Sequence, residues 1–178
     1  MAKKIMQDLQ RNYVASISAQ FIEHDETVGR GRWRLEQARV CDKWLTDKEL
    51  KAVDSKTFKL NLKGTGDKFP DAIFRLSSHS GGQMVALEYE KTAKNNWRYN
   101  KAIMAYSDSY NFHYILYVVE SDGIETAVKR AMTFIGDCQL NSKIGFIHAK
   151  DWKQDPATAP IRGRLNITHL GGLMQNVA

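Results

Sequence analysis

From position 70 onward the apolar residues settle into a period of two. Ala72, Phe74 and Leu76 fall on one side while Asp71, Ile73 and Arg75 fall on the other. After Ser80-Gly81-Gly82, Val85, Leu87 and Tyr89 alternate with Met84, Ala86, Glu88 and Glu90. Alternation of this kind marks strands with one face more deeply buried than the other. The short Gly-containing turn makes the pair an antiparallel hairpin, which Pro70 can open but not interrupt. Just upstream, Phe58, Leu60 and Leu62 alternate with Thr57, Lys59 and Asn61, and Gly64-Thr65-Gly66-Asp67 reads as a turn. Residues 113–119 are apolar on both faces, the pattern of a central strand covered from two sides. Residues 144–147 read as another short strand.

Elsewhere the period is helical. Residues 1–22 place Ile5, Leu9 and Tyr13 on one side. A polar turn at His24-Asp25-Glu26-Thr27 and the glycines Gly29 and Gly31 follow. A second helix is expected from 33 to about 52, with Trp33, Val40, Cys41, Trp44 and Leu45 as its buried stripe. Residues 95–110 carry Tyr99, Ile103, Tyr106 and Tyr110 on one face, and 123–136 carry Ile124, Ala127, Val128, Ala131, Met132 and Ile135. Residues 153–178, rich in Pro and Gly, read as an irregular tail or a small edge element. The sum is an α/β fold, an antiparallel meander followed by a parallel strand–helix–strand unit, flanked by helices. Its divisions would be an N-terminal helix and basic turn at 1–32, a core at 33–152 and the tail at 153–178.

Composition narrows the class. At 178 residues, with 43% hydrophobic and 26% charged positions, the chain suits a folded domain and excludes collagen-like and wholly disordered states. The formal charge of +6 favours a polyanion as partner, nucleic acid first. Cys41 and Cys138 form no Cys-x-x-Cys pair, which gives zinc no support and suggests two reduced, buried thiols. With no apolar run near the ~20 residues a bilayer requires, and no uninterrupted apolar stretch after the basic start, no membrane is expected and the cytoplasm is the default location.

Candidate chemistry lies in the hairpin. Asp71 opens one strand, and Glu88 and Glu90 end the next on a shared face. Three carboxylates so placed repel unless a cation lies among them, and hard oxygen donors without His or Cys favour Mg²⁺ or Mn²⁺. Such an ion activates water and offsets charge at a phosphodiester. Crowding of the acids predicts raised pKa values in the metal-free protein.

Pro70-Asp71 followed by Glu88-x-Glu90-Lys91, in a helix–strand–strand–strand–helix–strand order over about residues 33–120, resembles the PD-(D/E)XK nuclease superfamily. Phe-Pro-Asp-Ala-Ile-Phe, Leu-Glu-Tyr-Glu-Lys-Thr and a following helix with Arg98 and Tyr106 are similar to the replication-relaxation family of plasmids and conjugative elements. His24-Asp25 fits that family loosely, and the leader is too short for the winged-helix segment the family usually carries. The resemblance implies a restriction-endonuclease-like core and a metal-dependent DNA endonuclease acting in replication or transfer of a mobile element. The other outcome it implies is an inactive DNA-binding module of the same fold. It makes Asp71 and Glu88 metal ligands, with Glu90 where Lys is usual. Either Glu90 or the adjacent Lys91, which faces the other way on a regular strand, would take the lysine's catalytic part. Implied partners are DNA, the replication or transfer proteins of the element, and a second copy of the chain, since two strands need two cuts.

Around this centre, Arg30, Arg32 and Arg34 on a loop or arm, and Arg98 at a helix start, are candidates for phosphate contacts. Glu36 and Glu49 are candidate extra ligands, although a solvated helix face explains each. Lys101 reads as solvated, Trp97 as core with base stacking as its other reading, and His113 as a buried or capping residue.

Overall fold

A computed structural model of the protein describes residues 19–52, 56–62, 67–77 and 82–174. Positions 1–18 of the helix expected over 1–22 lie outside these, as do Gly64, Thr65 and Gly66 of the turn expected at 64–67 and Ser80 and Gly81 of that expected at 80–82. In chain order the elements are α1 (Ala19–Gln37), β1 (Cys41–Thr46), α2 (Asp47–Ala52), β2 (Leu60–Asn61), β3 (Asp67–Lys68), β4 (Ala72–Leu76), β5 (Met84–Glu90) and α3 (Asn96–Ser107). There follow β6 (Tyr114–Val119), α4 (Asp122–Ile135), α5 (Cys138–Asn141), β7 (Ile144–His148), α6 (Ala149–Gln154) and β8 (Arg162–Gly163).

The fold is mixed α/β. Six strands form one sheet in the order β1-β4-β5-β6-β7-β8. Neighbours are antiparallel from β1 to β5, parallel across β5, β6 and β7, and antiparallel again at β8. Alternation of side chains divides the sheet between two cores. Ala72, Phe74, Leu76, Val85, Leu87 and Tyr89 pack with Val28 and Leu35 of α1 and Trp152 of α6. On the other face Ile73, Ala86, Ile115 and Tyr117 pack with Tyr99, Ile103 and Tyr106 of α3 and Ile124 and Val128 of α4. β6, apolar throughout, is buried on both faces, as its sequence requires. Local signals fix the helix ends. Asn95 caps α3 by accepting the Arg98 N–H, Ser121 caps α4, and Gly136 closes α4 with φ 71°. Among the described residues no helix is long and apolar enough to cross a membrane.

Several expectations need correction. The turn at 24–31 is absent: α1 runs through His24, Gly29 and Gly31 and across position 32. Gly31 is there for close packing, since a Cβ would lie 2.2 Å from Cζ2 of the buried Trp152. Replacing it with Ala sets a helix-propensity gain of about 1 kcal/mol against an overpacking cost of about 1–3 kcal/mol. With a large buried ring as the obstacle the cost wins, and urea denaturation of Gly31→Ala should show a net loss of about 1–2 kcal/mol.

The helix expected over 33–52 stops at Gln37, and β1 takes its place. Its register against β4 shifts between Asp42 and Leu45, with Lys43 at φ 50°, so Cys41 and Trp44 both reach the core three residues apart. Trp33, assigned to the buried stripe, is 62% exposed. Phe58 belongs to a 3₁₀ turn, leaving only Leu60–Asn61 of the strand expected over 57–62, paired with β3 in a separate two-stranded sheet. Tyr110 lies beyond α3 and is exposed. The segment after 153 does supply the edge strand β8, but Ala157, Ala159, Ile167 and Leu170 are also buried in the first core. Cys41 is buried as expected, whereas Cys138, in the first turn of α5, is exposed.

Candidate functional site

The hairpin brings the acids together from their backbone register. β4 and β5 pair Ala72 with Leu87, so Asp71 lies beside the end of β5, where its Oδ2 accepts the Tyr89 N–H at 2.8 Å. Glu88 sits on the α3 face of β5 and is 1% exposed. Its Oε1 accepts the Tyr106 hydroxyl at 2.6 Å, and its Oε2 accepts Lys68 Nζ at 2.5 Å. Glu90, two residues on, is 4% exposed and pairs through Oε1 with Lys94 at 2.6 Å. The β2–β3 hairpin carries Lys68 to this place, anchored by the buried Leu60 and by Phe58, Leu62 and Phe69 against the α3-side core. The field of all three carboxylates falls on the Lys68 ammonium.

From the opposite side α1 presents His24, whose Nε2 lies 3.2 Å from Asp71 Oδ2 and whose Nδ1 lies 3.5 Å from Asp25 Oδ1. Two clefts reach the centre. One of about 160 Å³ is lined by His24, Thr46, Lys48 and Asp71. The other, of about 250 Å³, is lined by Lys68, Glu90, Lys94, Trp97 and Arg98.

The electrostatics follow from these partners. Burial raises the Glu88 carboxyl above its ordinary value, and the Asp71 charge adds to that against the pull of Lys68. Burial likewise raises Glu90, only partly offset by Lys94. Both match the expected direction, with burial ahead of mutual repulsion as the cause. Asp71 goes the other way. Burial pushes it up, but the His24 hydrogen bond, the charges of Lys68 and His24 and the Tyr89 N–H together hold it down. Burial also opposes the charge on Lys68, yet Glu88, Asp71 and Glu90 keep its pKa above lysine's usual value.

The Asp71 hydrogen bond, against desolvation, raises the pKa of His24. A cation favoured by folding stabilises the protein fully below its unfolded pKa of about 6.5. That contribution disappears as pH rises through the higher folded value. Denaturation between about pH 5.5 and 8.5 should show this decline, and His24→Gln should remove that part of the slope.

The remaining predicted residues are placed as follows. Lys91 follows the last residue of β5 and pairs with Glu23 of α1, away from the acids. Arg30, Arg32 and Arg34 lie on α1 rather than on a loop, and their spacing does not align them on one helix face. Arg30 pairs with Glu26, Arg32 with Glu36 and Glu49, and Arg34 donates to the carbonyls of Lys153 and Gln154. Glu36 is thereby an ion-pair partner on α1. Glu49, on α2, also accepts from the Thr46 N–H and hydroxyl, so neither acid joins the centre. Trp97 is not core: it is 53% exposed, with Lys101 Nζ 4.0 Å from its ring centroid. Arg98 is exposed in the first turn of α3. His113 is exposed and caps β5 by accepting the Met84 N–H.

Sequence reasoning missed Lys68, the residue on which the centre turns. Its signal was a lysine three positions before Asp71, at the close of a turn. No family model, curated protein or solved structure matches the chain. The centre is therefore interpreted from its own atoms. Among the described residues no three His, Cys, Asp or Glu side chains are arranged to hold a metal ion.

Proposed function

We propose that this protein is a metal-dependent deoxyribonuclease with a PD-(D/E)XK-type centre formed by Asp71, Glu88 and Lys68. One observation carries the reading. Asp71 just before β4, Glu88 of β5 and Lys68 of β3 meet on the α3 side of the sheet's interior strands, with Lys68 on the buried Glu88 at 2.5 Å. A buried charged group of this kind is costly, and such groups concentrate at functional sites. The lysine missing from position 90 is supplied in space by Lys68. The setting in replication or transfer of a mobile element rests on the family resemblance alone.

The donor set suits Mg²⁺ or Mn²⁺. Mg²⁺ is commonly held by one or two carboxylates with its other positions left to water and substrate phosphate. Among the described residues Asp71 Oδ1 accepts no hydrogen bond, and Glu88 Oε2 is held only by the Lys68 ammonium. Asp71 and Glu88 would hold the ion, and Glu90 joins them only by releasing Lys94. When bound, the ion makes coordinated water more acidic and offsets charge on the phosphodiester. The chain's own residues then have defined tasks. Tyr106 fixes one oxygen of Glu88, while His24 and the Tyr89 N–H fix Asp71. Lys68, freed from Glu88, remains beside the acids to donate to a phosphate oxygen.

The reading is tested by incubating supercoiled and linear DNA with Mg²⁺ or Mn²⁺. Metal-dependent, EDTA-sensitive nicking is expected. Intact DNA with both metals would favour the second reading, a module that binds DNA without cutting. A specific observation supports that alternative: Lys68, Lys94 and His24 already neutralise the three carboxylates.

A further inference from the structure

We propose that the cleft between β3 and the start of α3 is a pocket for a single nucleotide, with its base inside and its phosphate at the rim. This deepens the nucleic-acid part of the proposed function and rests on it. The cleft, about 250 Å³, lies just below the ~300 Å³ at which ligand pockets begin. It therefore admits one nucleotide rather than a stretch of strand.

Its interior is polar in an incomplete way. Tyr117 is 1% exposed, lines the cleft, and among the described residues its buried hydroxyl has no hydrogen-bond partner. Glu90 also lines the cleft, and with Oε1 committed to Lys94 its Oε2 accepts nothing among the described residues. An unmatched hydroxyl and an unmatched carboxylate oxygen lining one cleft invite a group with both donors and acceptors. A nucleobase edge has both, whereas a phosphodiester offers only acceptors and leaves Glu90 Oε2 unmatched.

The rim has the opposite character. Arg98 is exposed, has no ion-pair partner among the described residues, and sits in the first turn of α3, where backbone N–H groups favour an anion. Trp97 is half-exposed beside it, and with Lys101 over one face its indole offers the other to a base. The same base–phosphate chemistry comes from a free nucleotide or from an unpaired nucleotide in a strand.

The test uses the full chain in EDTA and a fluorescein-labelled single-stranded DNA 12-mer, with deoxynucleoside monophosphates and a blunt duplex as competitors. Trp97→Ala should weaken strand binding about tenfold, and Tyr117→Phe, which removes only an unpaired hydroxyl, should weaken it about fivefold. Displacement by millimolar monophosphates identifies the free nucleotide as a ligand. Weakening in both variants without such displacement identifies the strand. Wild-type affinity in both variants, or no binding of strand or monophosphate to the wild type, overturns the pocket. Hydrolysis plays no part under EDTA. A protein that cuts with Mg²⁺ yet fails here loses the pocket alone, and one that binds here yet never cuts loses the nuclease reading alone.

Discussion

Replacing Lys68 with Met should lower stability by about 3 kcal/mol at pH 7, the lower end of the 3–5 kcal/mol expected when a buried ion pair loses one partner. The lower end applies because the Lys68 side chain is 25% exposed, whereas Glu88 is 1% exposed. In thermal denaturation the effect corresponds to roughly 6–12 °C for a chain of this size. The cost arises from the partner left behind. Without the ammonium, Glu88 keeps only the Tyr106 hydroxyl on Oε1, and its buried charge lies in the field of Asp71. It can escape by taking up a proton. A carboxyl whose folded pKa is raised binds more protons folded than unfolded, so the variant should regain stability as pH falls. Lys68→Met combined with Glu88→Gln should recover most of the loss, since Gln can still accept from Tyr106 without a charge. Urea denaturation of the wild type, both single variants and the double closes the cycle. A loss in the double equal to the sum of the two single losses would mean that the pair is not coupled.

The parts of the fold legible in the sequence are those where local period and tertiary burial agree. The β4–β5 hairpin, the doubly buried β6 and the capped α4 are of this kind. β1 was hidden because its bulge at Lys43 sets Cys41 and Trp44 three apart on one face. Three is a helical spacing, so a strand took on the signature of a helix. Gly31 misled for a different reason. Its missing side chain makes room for Trp152, some 120 positions away in sequence, and no local pattern reports that need.

The candidate site divides in the same way. Asp71, Glu88 and Glu90 were visible because they interrupt apolar strands at matched positions of one hairpin. Lys68 was not, because reaching Glu88 depends on how the β2–β3 hairpin packs over the second core. Tyr106 was readable as a buried helix residue, but its hydroxyl bond to Glu88 was not, since helical period gives the face and not the partner. The arginines of α1 are only candidates for phosphate in the sequence, because their neighbours there do not reveal Glu49 or the carbonyls in the last turn of α6.

The larger effect belongs to the acids themselves. If Asp71 and Glu88 act together on a divalent ion, Asp71→Asn and Glu88→Gln should each reduce DNA cleavage by at least ~100-fold, the scale of losing a charge-stabilising group at a reacting centre. Both replacements keep the shape of the side chain and remove its charge. Lys68→Arg, which keeps the charge on a broader head group, should retain more activity than Lys68→Met. The decisive measurement is the rate of supercoiled-plasmid nicking in Mg²⁺ and in Mn²⁺ by the wild type, Asp71→Asn and Glu88→Gln, each shown to be folded by its denaturation curve. The account predicts nicking by the wild type in at least one of the two metals and its loss in both variants. Equal nicking by all three proteins, or by none, would contradict it.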